Sequence, residues 1–287
     1  MAQNNGATSP ATHRKKKTKK RRASFLAVML TIVLIAVFVL GGVIGLIYYT
    51  GVRYIKVQIT DDLYVKFLGK VDENGEPYKG KIIYSDGISA EVNLDRDEIS
   101  YSNGDVYKGE LKNLLKEGYG ELQYSNGDVY EGNFVGDIIN GEGTYYYVGG
   151  DVYTGNFVNG LKNGAGSYSF GDGSRFTGTF KDDRKDGYGE YYYASGDTYL
   201  GEYAADRKEG TGVYTWANGD IYSGDFHEDT RDGIGAYLWA NGEKYEGEFH
   251  GNVMSGAGTY TWPGGRTFTG TFENGVIVRT VTEGKAG

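Results

Sequence analysis

Two consecutive stretches of the chain decide its fold: YLGEYAADRKEGTGVYTWANGDI at residues 199–221 and YSGDFHEDTRDGIGAYLWANGEK at residues 222–244. Each begins with tyrosine, has glycine two residues later and has a second aromatic residue four residues after the first. Outward from this pair the 23-residue period continues without a slip to Tyr107 and to Phe268, giving seven full units and the start of an eighth. A strict period of this length indicates a repeat architecture in which each unit is one supersecondary element.

Residues of one kind recur at fixed distances from the first aromatic residue of each unit, the anchor, and positions are numbered from it. The anchors are Tyr107, Tyr130, Tyr153, Phe176, Tyr199, Tyr222, Tyr245 and Phe268. Glycine stands at +2, as in Gly109, Gly132 and Gly155, and at +11 and +13, first as Gly118 and Gly120. The aromatic residues at +17 include Trp216, Trp239 and Trp262. We interpret all of these as structural repeat positions, because a cofactor-binding loop would occur once.

Alternation with a period of two residues predicts two β-strands in each unit. The anchor, +2 and +4 share one face of the first strand, and +11, +13, +15 and +17 share one face of the second. Glycines at +2 and +13 leave room that the rings of neighbouring strands can fill. Positions +5 to +10 vary and are expected to form a surface loop. Asn-Gly pairs such as Asn126 and Gly127 predict a tight hairpin turn before the next anchor.

One hairpin of this kind cannot bury its rings alone, so the units are expected to stack into one continuous aromatic core. The predicted fold class is therefore all-β: an elongated, single-layer, antiparallel β-hairpin repeat solenoid, preceded by one N-terminal transmembrane α-helix. The repeat array takes residues 107–279, followed by a tail at 280–287. Residues 50–106 are expected to form juxtamembrane strands and a degenerate capping repeat that closes the open sheet edge.

The unit D-x-Y-x-G-x-F…G-x-G-x-x-x-W-x-N-G resembles the membrane occupation and recognition nexus (MORN) repeat, over residues 107–279. The resemblance implies an elongated single-layer β-solenoid with roles in scaffolding, membrane tethering, and protein or lipid binding. Catalysis in that family resides in attached domains, and we find no such domain here. The chain looks most like a bacterial membrane-anchored member, and it departs from the better-known cytosolic members because its repeats are expected outside the membrane.

Residues 25–49 contain no charged side chain, and about 20 apolar residues suffice to cross a bilayer. We predict a transmembrane helix at 23–49 after a basic cytoplasmic tail at 1–22, whose residues 14–22 hold eight Lys and Arg. The run is too long for a cleaved signal peptide and lacks its cleavage site. The positive-inside rule then predicts a single-pass plasma-membrane protein with an extracytoplasmic repeat body. Gly41 and Gly45 form a G-x-x-x-G pair, on which a homodimer is one interpretation.

Composition excludes several chemistries. Without Cys, thiol catalysis and thiolate metal sites are ruled out, and no catalytic or nucleotide-binding motif is present. After the basic tail the chain carries 22 basic and 38 acidic residues, a net charge of −16 that opposes nucleic-acid binding. Acidic residues recur at +21 and +3, either as turn residues or as a cation-binding ladder. His227 and His250 stand at +5 of adjacent units. We predict no catalytic residue, cofactor or metal.

The candidate binding surface consists of exposed aromatic residues and apolar loop tips. Tyr146 and Tyr192 are the middle residues of Tyr-Tyr-Tyr runs, so their rings should point away from the core. Leu114, Leu115, Ile138 and Ile139 lie in the expected loops of the first two units. Packing inside a curved groove is the alternative for the rings. We expect a non-enzymatic, membrane-anchored scaffold that binds a protein or cell-envelope polymer; the alternatives are an envelope-glycan enzyme, or a lipid-binding tether if the topology is reversed.

Overall fold

A computed structural model describes residues 13–96 and 98–278, and for residues 13–26, 48 and 96 it describes the backbone alone. Helix α1 spans His13–Tyr49, and its apolar part, Ala27–Ile47, is nowhere buried against the rest of the chain. The helix therefore begins earlier than the predicted boundary at 23, because the basic stretch 14–22 continues it. Residues 1–12 of the predicted basic tail at 1–22, and the predicted tail at 280–287, lie outside the described residues.

Within residues 13–96 and 98–278, twenty-one strands form one antiparallel sheet. The strands before the repeats are β1 (Val52–Gln58), β2 (Tyr64–Val71), β3 (Pro77–Tyr84), β4 (Ser89–Asn93) and β5 (Glu98–Tyr101), with a 3₁₀ helix at Leu94–Arg96. The first strands of the units are β6 (Val106–Lys112), β8 (Val129–Val135), β10 (Val152–Val158), β12 (Arg175–Lys181), β14 (Thr198–Ala204), β16 (Ile221–His227), β18 (Lys244–His250) and β20 (Thr267–Glu273). The second strands are β7 (Leu115–Gln123), β9 (Ile138–Tyr146), β11 (Leu161–Ser169), β13 (Arg184–Tyr192), β15 (Arg207–Thr215), β17 (Thr230–Leu238), β19 (Val253–Thr261) and β21 (Val276–Val278).

Each strand pairs with the next strand in the sequence, from β1–β2 to β20–β21. The topology is thus a simple meander, and among the described residues the two end strands do not pair with each other. The prediction of an all-β, single-layer hairpin array with one N-terminal helix is confirmed. The sheet is open, so every unit contacts only its neighbours, as the 23-residue period requires.

The anchor rings form the core, and each lies flat over two glycines. Tyr130 is fully buried. A Cβ placed on either Gly132 or Gly143 would come within 2.4 Å of the Tyr130 hydroxyl oxygen. Gly132 and Gly143 are paired across neighbouring strands, so one ring fills the space above both. The expectation that a ring from a neighbouring strand fills this space is confirmed for the +13 glycine. Over the +2 glycine, the ring comes from the same strand.

The +4 rings stand edge-on between successive anchors. Tyr130 meets Phe134 of its own unit at 5.2 Å and Phe157 of the next unit at 5.4 Å between ring centroids, with both ring planes near 89° to its own. The same alternation repeats along the array, as at Tyr222 between Phe226 and Phe249. Edge-to-face pairs add about 0.5–1.5 kcal/mol each beyond burial of their area. The core is therefore one continuous row of interlocked rings.

The turns differ from the prediction. The expected surface loop at +5 to +10 is wrong, because only +6 and +7 lie outside the strands. Asp182 and Asp183, for example, form a two-residue turn with φ of 48° and 70°. This left-handed pair matches strand twist, and polar residues tolerate it. The Asn-Gly segment instead connects strands over five residues, where the Gly127 amide donates to the Tyr124 carbonyl at 2.9 Å and only the glycine has positive φ.

Glycine at +11 bends the second strand. Gly164 has a φ of 89°, and the pairing of β10 with β11 shifts there, since Gly155 faces Gly166 but Phe157 faces Lys162. The extra residues make a bulge that bends the strand. At the bend, the side chains at +4 and +9 lie over the anchor ring. One face of the sheet is in this way covered by its own side chains, and the opposite face is left open.

Candidate binding surface

The open face of the sheet is the face opposite the anchor rings. In each unit it carries the residues at −1, +1, +3, +12, +14 and +16, since these alternate with the buried positions. No other element covers it within the described part of the chain.

A groove of about 910 Å³ crosses the open face over the first four units. Its ends are Tyr119 on β7 and Tyr188 on β13, six strands apart, which is roughly 29 Å at the usual strand spacing. Its floor is made of small residues: Gly143, Thr144, Thr154, Gly155, Ala165, Gly166, Ser167, Thr177 and Gly178. The third unit has no large side chain at +1, +12 or +14, and this creates the depression.

Tyr119 and Tyr188 are among the most exposed rings of the repeats, at 66% and 59% exposure. Both occupy +12, between the two glycines of the G-x-G pair, so nothing beside them on the strand supports or shields the ring. The sequence prediction missed them because it treated the G-x-G pairs as structural only. The signal was present: a large aromatic residue at the middle of G-x-G occurs in two units, and Ile234 takes the same position at 62% exposure.

The groove floor is polar but nearly uncharged. Thr144 and Thr154 share a hydroxyl hydrogen bond of 3.1 Å, and Ser167 and Thr177 share one of 3.2 Å. Of the residues that line the groove, only Glu131 and Glu142 carry charge. The repeats are acidic as a whole, so this stretch stands out as a surface mostly of hydroxyls and amides with only two charged side chains.

Tyr146 and Tyr192 lie on the open face, as predicted, and are 40% and 36% exposed. Tyr146 stands opposite Val129 and Val152 on the two flanking strands. Tyr192 is held more firmly, because its hydroxyl donates to Glu190 at 2.6 Å and Arg175 lies 4.8 Å from its ring centre. The hydrogen bond to Glu190 raises the pKa of Tyr192. These rings lie beside the groove, on the side nearer the five-residue connections.

The apolar loop tips are not a single exposed patch. Leu114 is 1% exposed and belongs to the core, so its prediction as an exposed tip is wrong. Leu115 and Ile139 are half-buried against the same core. Ile138 remains exposed, at 48%. The short turn explains the burial of Ile139: strand residues begin at +8, and +9 points inward over the anchor ring.

The +21 carboxylates join neighbouring turns. Asp151 accepts a hydrogen bond from the Tyr168 hydroxyl at 2.7 Å and from the Gly171 amide at 2.8 Å. These two bonds lower the pKa of Asp151. Asp128 and Asp197 make the same pair of bonds in their units. The turn-residue interpretation therefore describes this row, and the described residues hold no group of three or more potential metal ligands.

His227 and His250 point to different partners. His227 Nδ1 lies 2.8 Å from Glu209, and His250 Nδ1 lies 2.9 Å from Asp232. Each carboxylate belongs to the preceding unit. The two histidines thus link neighbouring hairpins, and each does so separately.

A row of basic residues at +9 closes the edge of the core, and the sequence analysis missed it. Its members are Lys116, Lys162, Lys185, Lys208 and Arg231. The Lys162 ammonium lies within about 6 Å of three ring centres, those of Tyr147, Tyr153 and Tyr168, and 3.4 Å from Asp183 of the next unit. Cation–π contact and a carboxylate partner offset the cost of withdrawing its ammonium group from water, and its aliphatic stem packs against the rings. The signal was the recurrence of Lys or Arg at one repeat position.

Comparison with known proteins gives one strong match. Residues 107–129, 130–152, 153–175, 176–198, 199–221, 222–244 and 245–265 each match the family model described as MORN repeat. No curated protein sequence matches the chain.

Among solved structures, the SAS-4 (dCPAP) TCP domain of Drosophila melanogaster, in complex with a proline-rich motif of Ana2 (dSTIL), is 18% identical with a TM-score of 0.32. The match covers 68% of this chain and 90% of that one. A streptogramin B lyase is 11% identical with a TM-score of 0.16, covering 77% and 87%. These TM-scores are too low to bear on fold or function.

Proposed function

With seven consecutive matches over more than half of its length, the chain belongs to the MORN-repeat family, and on this premise we propose that it is a non-enzymatic, membrane-anchored scaffold that binds an extended partner along the open face of its repeats. The observation that carries the proposal is the groove between Tyr119 and Tyr188. It is long and shallow, its floor carries little charge, and exposed rings stand at both ends. Such a surface suits an extended protein segment or cell-envelope polymer better than a small molecule, which needs an enclosed pocket.

The rings are the anchors of this interaction. Tyrosine is enriched in binding surfaces because it offers a large rigid apolar face with little entropy to lose, together with a hydroxyl. The floor between the rings contributes hydroxyl groups, and its backbone is already paired within the sheet. A partner therefore binds through side-chain contacts and ring stacking, not by adding a strand to this face.

The anchor is the apolar part of α1, Ala27–Ile47, which no part of the described structure covers. With the basic stretch on its N-terminal side, the repeats would stand on the extracytoplasmic side of a plasma membrane. Protease treatment of sealed cells carrying a C-terminal tag tests this topology. Loss of the tag from sealed cells is expected, and survival of the tag until lysis would place the repeats in the cytoplasm.

Catalysis on an envelope glycan is the less supported alternative. A glycosidase needs one carboxylate pair set apart from its surroundings. The +21 aspartates instead repeat the same two hydrogen bonds in successive units, and their hydroxyl and amide partners occupy them. Among the described +21 aspartates, no pair departs from this pattern in the way that a catalytic pair would.

Site-specific photocrosslinking tests the binding face. A benzophenone side chain is placed at Tyr188 or at Ile234 in the full chain within its own membrane. Both positions are +12 residues with similar exposure, 59% and 62%, but only Tyr188 borders the groove. We expect discrete crosslinked products from position 188 that the additional change Tyr119→Ala weakens, and few from position 234. Equal products from both positions would reject the groove as the binding site.

A further inference from the structure

The three strands that follow the membrane helix carry a one-sided charge pattern. Strands β1, β2 and β3 contain six basic residues and no Asp or Glu. The acidic residues of this region lie in the connecting turns, at 61, 62, 72, 73 and 76. The strands are therefore locally basic within an acidic extramembrane body.

Strand alternation gathers five of the six basic residues on one face. We call it the lysine face, and it consists of Tyr54, Lys56, Lys66, Leu68, Lys70, Lys79, Lys81 and Ile83. The opposite face carries Phe67 and Ile82, both fully buried in the core. The apolar members of the lysine face are exposed instead: Tyr54 by 62%, Leu68 by 53% and Ile83 by 42%. Lysines mixed with exposed aromatic and aliphatic side chains are the composition of a membrane-surface element.

Two pairs of like charges face each other across strands. Lys56 stands directly opposite Lys66, and both ammonium groups lie 4.6 Å from the centre of the Tyr64 ring. Lys70 stands directly opposite Lys79. Like charges in this position destabilise a sheet, so the arrangement costs free energy unless anions lie above it. Asp95 pairs with Lys79 at 3.2 Å, and Glu91 stands opposite Lys81, on the neighbouring strand.

The position of these strands identifies the anionic partner. Helix α1 ends at Tyr49 and β1 begins at Val52, so only two residues separate them. Two residues span about 7 Å at most, comparable with the screening length of roughly 8 Å at physiological salt. The headgroup layer at the end of the helix is therefore the nearest source of negative charge outside the chain itself.

We propose that the lysine face of β1–β3 rests on anionic lipid headgroups beside the membrane helix and so fixes the direction in which the repeat array leaves the membrane. The proposal depends on α1 as the membrane anchor. It does not draw on the repeats, because these strands precede the matched residues 107–265. Phosphate oxygens would lie between the paired lysines, and Tyr54 and Leu68 would reach the headgroup boundary.

A single reporter tests this contact, because the chain contains no Cys. The full chain with Leu68→Cys, labelled with an environment-sensitive fluorophore, is placed in nanodiscs of phosphatidylcholine alone or with phosphatidylglycerol. We expect the emission to shift to shorter wavelength only with the anionic lipid, and to shift back when salt rises from about 0.1 M to about 1 M. The control reporter Ile234→Cys should not respond.

Charge reversal provides the matched variants. Lys66→Glu with Lys81→Glu should abolish the shift, whereas Lys112→Glu with Lys181→Glu, the same change in charge within the repeats, should leave it. Equal emission in both lipids, or an equal loss in both double variants, would overturn the proposal. An equal shift on adding soluble heparin to neutral discs would overturn it too, since the face would then bind any polyanion. Retention of the chain in membranes after alkaline carbonate treatment reports separately on the anchor.

Discussion

The carboxylate of Asp220 accepts a hydrogen bond of 2.8 Å from the hydroxyl of Tyr237, which lies 17 residues further on and in the next unit. Its second oxygen accepts from the Ala240 amide at 2.8 Å. One side chain thus fastens two consecutive turns, and the same arrangement recurs in neighbouring units. Desolvation and this carboxylate raise the pKa of Tyr237 to about 12, while the two donors lower the pKa of Asp220.

Because these carboxylates accept their hydrogen bonds in the ionised form, we predict that the protein loses stability in acid. The pKa values of Asp128, Asp151, Asp197 and Asp220 are all lowered by their hydrogen bonds. Because the folded-state pKa is lowered, each carboxylate stabilises the fold at pH values above its unfolded-state pKa, near 3.9. This contribution to stability is lost as the pH falls through the folded-state pKa. Thermal unfolding followed by circular dichroism should show a midpoint that is steady from about pH 7 to 5 and falls steeply below about pH 4.

Substitution of one fastening carboxylate should have a modest effect. Asp220→Ala removes the acceptor of two donors, one of them a backbone amide, and should cost about 1–2 kcal/mol in the free energy of unfolding. Glu246→Ala, which removes a surface ion pair with Lys244, serves as control and should change it by less than about 1 kcal/mol. Urea titration measures both. Equal effects would show that Asp220 does not join the turns.

The space beneath an anchor ring predicts a strong effect of one methyl group. In Gly143→Ala the new Cβ would come within 2.4 Å of the Tyr130 hydroxyl and 2.6 Å of its ring. The ring must then leave its position between two phenylalanines, at a cost of about 1–3 kcal/mol or more. Gly149→Ala is the matched control, because no atom lies within 4 Å of its Cβ and its backbone is unstrained. Differential scanning calorimetry compares the two, and equal midpoints would contradict the ring placement.

Anchor residues should tolerate loss of the hydroxyl but not of the ring. The Tyr222 hydroxyl donates to the Asp225 carbonyl at 2.8 Å, a bond worth about 1 kcal/mol. Phe176 occupies the same repeat position without it, so Tyr222→Phe should cost no more than about 1 kcal/mol. Tyr222→Ala opens a cavity between Phe226 and Phe249 and should cost about 3–5 kcal/mol. Denaturant midpoints of the two variants test this, and similar losses would place the stabilisation in the hydroxyl.

Deletion of one whole unit should leave a folded protein. Removing residues 199–221 joins Thr198 to Tyr222 in unchanged register, and because units contact only their neighbours the remaining sheet closes over the gap. Removing 22 residues, 199–220, instead shifts every later side chain to the other face and should give an aggregating chain. Size-exclusion chromatography and circular dichroism distinguish the outcomes. Folding of both would contradict the strict register.

The strand pattern of the repeats could be predicted because the period fixes which residues share a face. The turns could not, since a two-residue turn at +6 and +7 was hidden by variable residues such as Asp182 and Asp183. Asn126 and Gly127 carry the usual hairpin signal, yet the structure uses only the glycine for positive φ. The preference of Asn-Gly for a two-residue turn is overridden here, because a five-residue connection joins the strands and the +21 side chain bridges it.

The candidate surface was predicted only in part. Tyr146 and Tyr192 follow from alternation alone, and their exposure agrees with it. Tyr119 and Tyr188 needed the observation that both flanking residues are glycine. The lysine face needed the pairing register, because Lys56 and Lys66 are ten residues apart in sequence and meet only across β1 and β2.

The meander order of the sheet has a mechanical consequence. Because each strand is bonded only to its neighbours in the chain, tension applied between helix α1 and the far end of the sheet would load the array one hairpin at a time. The hairpins would unfold one after another at modest force, and each unfolded unit would add the extended length of its 23 residues to the molecule. A molecule built in this way is a compliant linkage that yields by steps and recovers when the load is removed.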